Sequence, residues 1–201
     1  MTKFEIAKKV IIDAGGIAKT SMFVKKGLCR FDISKLASDG LIKRICHGFY
    51  GLVGGSDLSE SEYIAKLIPE GIVCMESALF HYGYSDFTPR RWSIAVPRMV
   101  SQNKLKSNII PLRPYYVQES VYTLGKIMSK FDGTFLPIYD KERTICDCFK
   151  YKNKMDNELF AKAINSYALD KNKNLTNLSA YAKKLRVYKK VTEVMEVILN
   201  G

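Results

Sequence analysis

The chain has 201 residues with a hydrophobic fraction of 47%, an ordinary value for a folded protein with a real core, arranged as one large domain or two small ones. Thirty-two basic against 20 acidic residues give a net charge of +12, so a polyanion is an expected partner, although charge alone does not separate nucleic acid from a membrane surface. No apolar stretch approaches the length of a membrane span, and Met1-Thr2-Lys3-Phe4-Glu5 runs straight into an amphipathic pattern without a signal peptide, so a cytoplasmic protein with no membrane partner is expected.

The cysteines are Cys29, Cys46, Cys74, Cys146 and Cys148, an odd number without a regular framework, so reduced thiols are expected. Cys146 and Cys148 are two apart rather than the three of a zinc or redox pair. Cys29, Cys46 and His47 supply too few ligands for a closed site, and neither a metal nor a cofactor is expected. Burial as small hydrophobes fits all five better.

In chain order, Thr2-Lys3-Phe4-Glu5 matches a capping box and starts a helix whose stripe is Phe4, Ala7, Val10, Ile11 and Ala14, ending at Gly15-Gly16. A second, short helix begins at Lys19-Thr20-Ser21, with Met22, Phe23 and Val24 as its face to bury. Gly27 then supplies the left-handed residue that closes it. Arg30 to Asp39 reads as a third helix with Ile33, Leu36 and Ala37 on one side and Phe31, Ser34, Lys35 and Ser38 on the other. Apart from one aromatic, that second face is small, polar and cationic, as a helix in a major groove requires to reach base edges. Leu41 to Ile45 and Phe49 to Leu52 flank Cys46-His47-Gly48 as a hairpin, the wing of a winged helix-turn-helix. On this reading Lys19, Thr20, Ser21, Arg30, Lys43, Arg44 and His47 face the DNA backbone, which fixes orientation without reading sequence. Residues 1–52 hold 10 Lys or Arg and 4 Asp or Glu, so about a quarter of the length carries half of the net charge.

Val53 to Asp57 is the expected boundary, with a larger domain over 58–201. Helices are expected from Ser59 to Leu67 and from Glu76 to Tyr82. Strands are expected at Ile72-Val73, Arg91 to Val96, Ile109-Ile110, Tyr115 to Gln118, Val121 to Leu124 and Thr134 to Tyr139. His81 is a lone histidine on an apolar helix, and Trp92 with Tyr115-Tyr116 sits in β-prone runs; packing is the expected role of each. The chain then becomes helical, with stripes at Leu159, Ala163, Ile164 and Tyr167, at Leu175, Leu178, Tyr181, Ala182 and Leu185, and at Val191, Val194, Met195, Ile198 and Leu199. The fold class expected is α+β: an N-terminal winged helix-turn-helix, then a mixed α/β domain with a small sheet and a helical C-terminal layer.

Asp140-Lys141-Glu142-Arg143-Thr144-Ile145-Cys146-Asp147 gathers three carboxylates at a helix start, a pattern that metal-dependent nucleases use. Structure accounts for it as well: Asp140 caps the helix, Glu142 favours its positive end and Arg143 lies one turn before Asp147 for an ion pair. No catalytic histidine or second acidic motif accompanies it, so no catalytic residue and no enzyme activity are expected.

Several stretches of the chain together resemble the AbiEi antitoxins of type IV abortive-infection toxin–antitoxin systems. They are Gly16-Ile17-Ala18-Lys19-Thr20 with Gly27, His47-Gly48-Phe49-Tyr50, Glu76-Ser77-Ala78-Leu79, Ile94-Ala95-Val96-Pro97 and Tyr139 to Asp147, in the family's order. The resemblance implies a winged helix that binds inverted repeats in its own promoter and represses transcription. It also implies a C-terminal domain that counters a nucleotidyltransferase toxin, the partner in function, without a need for direct contact. From Lys171 to Lys190 there are seven Lys or Arg and no acidic residue, so Lys183, Lys184, Arg186, Lys189 and Lys190 form either a solvated face or an antitoxin or second nucleic-acid surface. The rival readings are a metal-dependent nucleic-acid-processing enzyme using Asp140, Glu142 and Asp147, and a winged-helix regulator with a small-molecule sensor domain.

Overall fold

In the computed structural model, which describes residues 1–55, 58–106 and 109–200 apart from the side chains of Lys104, Leu199 and Asn200, the chain opens on the expected capping box. Thr2 Oγ1 accepts from the Glu5 N–H (3.2 Å), and the Glu5 carboxylate accepts from the Thr2 N–H (2.7 Å). These bonds start α1 (Lys3–Asp13), which buries Ala7, Val10 and Ile11. Next come β1 (Ile17–Lys19), α2 (Thr20–Lys25), α3 (Arg30–Ser38), β2 (Ile42–Cys46), β3 (Phe49–Leu52) and α4 (Glu60–Leu67), the last opened by a second capping box from Ser59 and Glu62.

The chain is a mixed α+β protein and divides into two compact units, Met1–Pro69 with Ser101–Pro111, and Glu70–Val100 with Leu112–Gly201. These units do not coincide with the segments 1–52 and 58–201. Helix α4 falls in the first unit, where Lys66 Nζ donates to the Ala14 carbonyl at the end of α1 (2.9 Å). The Ser56-Asp57 end of the expected boundary lies outside the described residues.

In the first unit, β1, β3 and β2 form an antiparallel sheet in that order. The strand β1 is missing from the sequence reading: three residues between Gly16 and a helix are too few to show alternation. Of the face assigned to α2 only Phe23 is buried, edge-on to Tyr50 with ring centroids 5.9 Å apart, while Met22 and Val24 are 37% and 49% exposed. A six-residue helix has room for one buried position per turn, so consecutive apolar residues cannot all face inward.

The second unit contains β4 (Ile72–Val73), α5 (Met75–His81) and β5 (Trp92–Pro97), before the chain returns to the first unit for α6 (Gln102–Leu105). It resumes with β6 (Leu112–Val117), β7 (Lys126–Phe131), β8 (Thr134–Tyr139), α7 (Lys141–Lys150), α8 (Asn157–Leu169), α9 (Leu175–Lys184) and α10 (Tyr188–Asn200). The sheet order is β6-β5-β4-β8-β7, with β5/β6 and β4/β8 parallel and the other pairs antiparallel. Two expected strands are absent: Ile109-Ile110 is a bend, and Val121 ends a single 3-10 turn, the strand beginning only at Lys126. The edge strand Lys126–Phe131 has its apolar Ile127 and Met128 adjacent and both exposed, followed by Ser129 and Lys130, so it shows no alternation.

Helix α7 is buried along most of its length and is the centre of the second unit's core. Asp140 caps it, accepting from the Arg143 N–H (2.7 Å). Arg143 is fully buried: its Nε donates to Asp147 (3.0 Å), its Nη1 to the carbonyls of Val121 (2.6 Å) and Leu124 (3.0 Å), and its guanidinium lies 4.1 Å from the Tyr139 ring centroid. Gly125 is required beside it, because a Cβ at φ +72° would sit 2.6 Å from Arg143 Cβ. His81 is half-buried, with Nε2 2.8 Å from Ser129 Oγ and its ring against Phe131, and burial lowers its pKa. Trp92 also packs on Phe131. Four cysteines are buried, and Cys29, expected to be buried with them, is exposed ahead of α3. The side chain of Leu199, the last apolar position of the final stripe, lies outside the described residues. Among the described residues, no helix is long and apolar enough to cross a membrane.

Candidate nucleic-acid interface

Helices α2 and α3 are set by the turn between them. Gly27 takes φ +88°, and the Leu28 N–H returns to the Phe23 carbonyl (3.1 Å), closing α2 and turning the chain into α3. Asp32 then holds the start of α3: its carboxylate accepts from the Cys29 N–H (3.0 Å) and from Lys3 Nζ (2.6 Å). The Lys3 hydrogen bond, followed by those from Cys29, pulls the Asp32 pKa down to about 2, and the same bond raises that of Lys3. With Ile33 and Leu36 turned into the core, the opposite face presents Phe31, Ser34, Lys35 and Ser38 to solvent. Phe31 is 74% exposed. Ser38 Oγ donates to the Lys35 carbonyl (2.9 Å), so its oxygen keeps an accepting capacity toward solvent.

The hairpin is tied to α2 through Thr20, whose N–H and hydroxyl both donate to the Gly48 carbonyl (2.9 and 3.2 Å). Beside this junction lies a cleft of about 880 Å³ within the first unit. Five of the residues assigned to the DNA backbone line it, namely Lys19, Thr20, Ser21, Arg30 and His47, and among the described residues its lining includes no carboxylate. Lys43 and Arg44 are exposed on β2 outside the lining, and Arg44 Nη2 lies 3.2 Å from His47 Nδ1, which joins Arg44 to the same edge. A guanidinium donating to Nδ1 leaves the proton of a neutral imidazole on Nε2, free to donate. The base-facing set of α3 is not part of the cleft lining and stands on its own face.

The cleft also holds residues that sequence reasoning did not select: Lys25, Phe49, Ser101 and Asn103. Lys25 sits in the last turn of α2, and its charge is the signal that could have found it. Ser101 and Asn103 come from the segment that returns to the first unit, and nothing in their local sequence marks that return. Lys183, Lys184, Arg186, Lys189 and Lys190 are all exposed on the second unit, on α9, the α9–α10 turn and α10. Arg186 takes φ +61° in that turn, Lys183 Nζ lies 5.0 Å from the Tyr188 ring centroid, and Lys189 is 3.9 Å from Glu193.

The three carboxylates of the 140–147 motif have separate structural partners. Asp140 caps α7 and accepts from the Tyr181 hydroxyl (3.1 Å), Glu142 accepts from the Asn174 N–H (2.8 Å) and the Tyr167 hydroxyl (3.2 Å), and Asp147 holds Arg143. Burial raises the pKa of Asp140 and Asp147. Among the described residues, no group of three or more His, Cys, Asp or Glu side chains is placed to hold a metal ion.

No protein-family model matches the chain, and no curated protein matches it. Among solved structures, the crystal structure of the RV2827C protein from Mycobacterium tuberculosis is similar in fold, with a TM-score of 0.63 at 13% sequence identity, covering 100% of this chain and 82% of that one.

Proposed function

We propose that the first unit is a winged helix-turn-helix DNA reader, with α2 and α3 as the helix-turn-helix and β2–β3 as the wing, and that the protein is an antitoxin of the AbiEi type that represses its own promoter. The observation that carries the DNA reading is the adjacency, in one unit, of the exposed α3 face and a cleft lined by Lys19, Lys25 and Arg30 with no carboxylate among its described residues. Cations held around a concave surface suit the sugar-phosphate backbone, and the Ser34 and Lys35 side chains suit base edges in a major groove. The antitoxin role follows from the resemblance, three of whose five stretches fall on a fold-building part of the second unit. Glu76-Ser77-Ala78-Leu79 lies in α5, Ile94 to Pro97 in β5, and Tyr139 to Asp147 in β8 and α7.

Footprinting of the full chain on its own promoter tests the reader: protection of inverted repeats is expected, and uniform or absent protection overturns it. Co-expression tests the antitoxin role. A nucleotidyltransferase encoded beside this chain is expected to be toxic alone and harmless with it, whereas toxicity unrelieved by the full-length chain refutes the role.

A further inference from the structure

Arg90, Arg91 and Arg113 converge on a second cavity, of about 230 Å³, that lies wholly in the second unit and takes no part in the proposed DNA contacts. The rest of its described lining is mixed, with apolar Phe87 (67% exposed), Pro89 and Leu159 beside Ser85, Ser93 and Glu76. Arg113 is committed to structure: its Nη1 meets Glu76 Oε1 (2.6 Å) and its Nη2 donates to the Lys154 carbonyl (3.2 Å). Glu76 is in turn saturated, since Ser93 Oγ donates to its other oxygen (2.7 Å) and the Tyr115 hydroxyl also donates to it (3.1 Å). The one carboxylate among the described residues of the cavity lining therefore has its charge compensated. The neighbouring Asp86 is likewise ion-paired with Lys162.

Arg90 and Arg91 differ from Arg113. Both are exposed, adjacent in sequence, and neither is engaged by a hydrogen bond or ion pair among the described residues. Two uncommitted guanidinium groups at one mouth supply up to ten N–H donors in planar forks, the geometry that matches phosphate oxygens. An exposed phenyl ring beside them offers a stacking platform for a planar base. The volume lies below the ~300–1,000 Å³ of pockets that enclose drug-sized ligands, so the cavity seats a phosphate group and leaves the base of a nucleotide at its open edge beside Phe87.

We propose that this cavity binds a nucleoside monophosphate group, free or at the end of a strand, with Arg90 and Arg91 holding the phosphate and Phe87 covering the base. The site stands independently of whether the first unit reads DNA.

Calorimetric titration of the full chain with adenosine 5′-monophosphate tests it, with ribose 5-phosphate, adenosine and inorganic phosphate as comparisons. One equivalent of the nucleotide is expected to bind, more tightly than any of the three fragments. Arg90→Ala and Arg91→Ala are each expected to weaken it at least about tenfold, with lysine at either position recovering part of the loss. Phe87→Ala is expected to bring the nucleotide toward the affinity of ribose 5-phosphate while leaving ribose 5-phosphate unchanged. All three side chains are exposed, so unchanged thermal midpoints verify that the variants fold. Competition by a 5′-phosphorylated trinucleotide but not its unphosphorylated form assigns the site to strand ends, and indifference to both assigns it to the free nucleotide. Nucleotide binding no tighter than inorganic phosphate, or binding untouched by Arg90→Ala and Arg91→Ala, overturns the proposal.

Discussion

The two units place similar residues in opposite ways. In the first, Lys19, Arg30, Lys35, Lys43 and Arg44 stand in solvent, and the ion pair formed there by Lys3 and Asp32 lies at the root of α3, away from its exposed face. In the second, Glu142, Arg143 and Asp147 form the densest run of charge on α7, and all are buried and hydrogen-bonded inside the core. Charge kept in water at little desolvation cost remains available to a partner, whereas charge taken into a core must be spent on its neighbours. The motif that looks most chemical in the sequence is thus architectural, while the plain exposed cations, those of the first unit and Arg90 and Arg91 of the second, are free to meet a partner.

That contrast breaks first at Arg143. Arg143→Ala strands Asp147 without its partner and leaves two carbonyls unpaired, so a loss of about 3–5 kcal/mol is expected in chemical denaturation. A loss below about 1 kcal/mol would show that the buried network is not what holds α7 in place.

Exposed positions on α3 are expected to act on recognition instead. Lys35→Ala or Ser34→Ala is expected to relax base preference at one operator position by about 1–3 kcal/mol, measured by binding to a set of single-base variants. Next in size, Lys43→Ala and Arg44→Ala are each expected to weaken binding to all sequences alike and to reduce the slope of log affinity against log salt by about one. Stability should stay within about 0.5 kcal/mol of the parent in both.

The smallest effect expected is one of pH. Because the Asp32 carboxyl is held down at about 2, the stability its ion pair contributes is fully present above the ordinary value of 3.8 and is lost as pH falls toward 2. Lys3, whose pKa is raised, contributes below its ordinary value of 10.5 and loses that contribution as pH rises past its folded value. The difference in thermal midpoint between the parent and Asp32→Asn should therefore shrink on acidification through that window, and a constant difference would remove the pair from the account.

Much of this was legible from short-range patterns. The capping box at Thr2, the helix start at Ser59, the closure of α2 at Gly27 and the Arg143–Asp147 spacing each depend on residues a turn apart, and each is found. The exposed face of α3 followed from helical period in the same way. What depended on distant partners was not legible. The strand β1 exists because it pairs with β3 across about thirty residues, with Ile17 opposite Gly51. Ser101 and Asn103 join the cleft only because the chain returns to the first unit after β5. The cavity of Arg90, Arg91 and Arg113 likewise brings together residues from a loop and a later strand, which no local spacing announces.

The central claim, that the open cations and the α3 face form a sequence-reading DNA surface, is tested most directly by titrating the full chain against its own promoter and against a random duplex of equal length over a salt series. The account predicts a preference of at least about a thousandfold for the promoter at physiological salt, with affinity for both falling steeply as salt rises. Equal affinity for the two duplexes, or binding indifferent to salt, would contradict it.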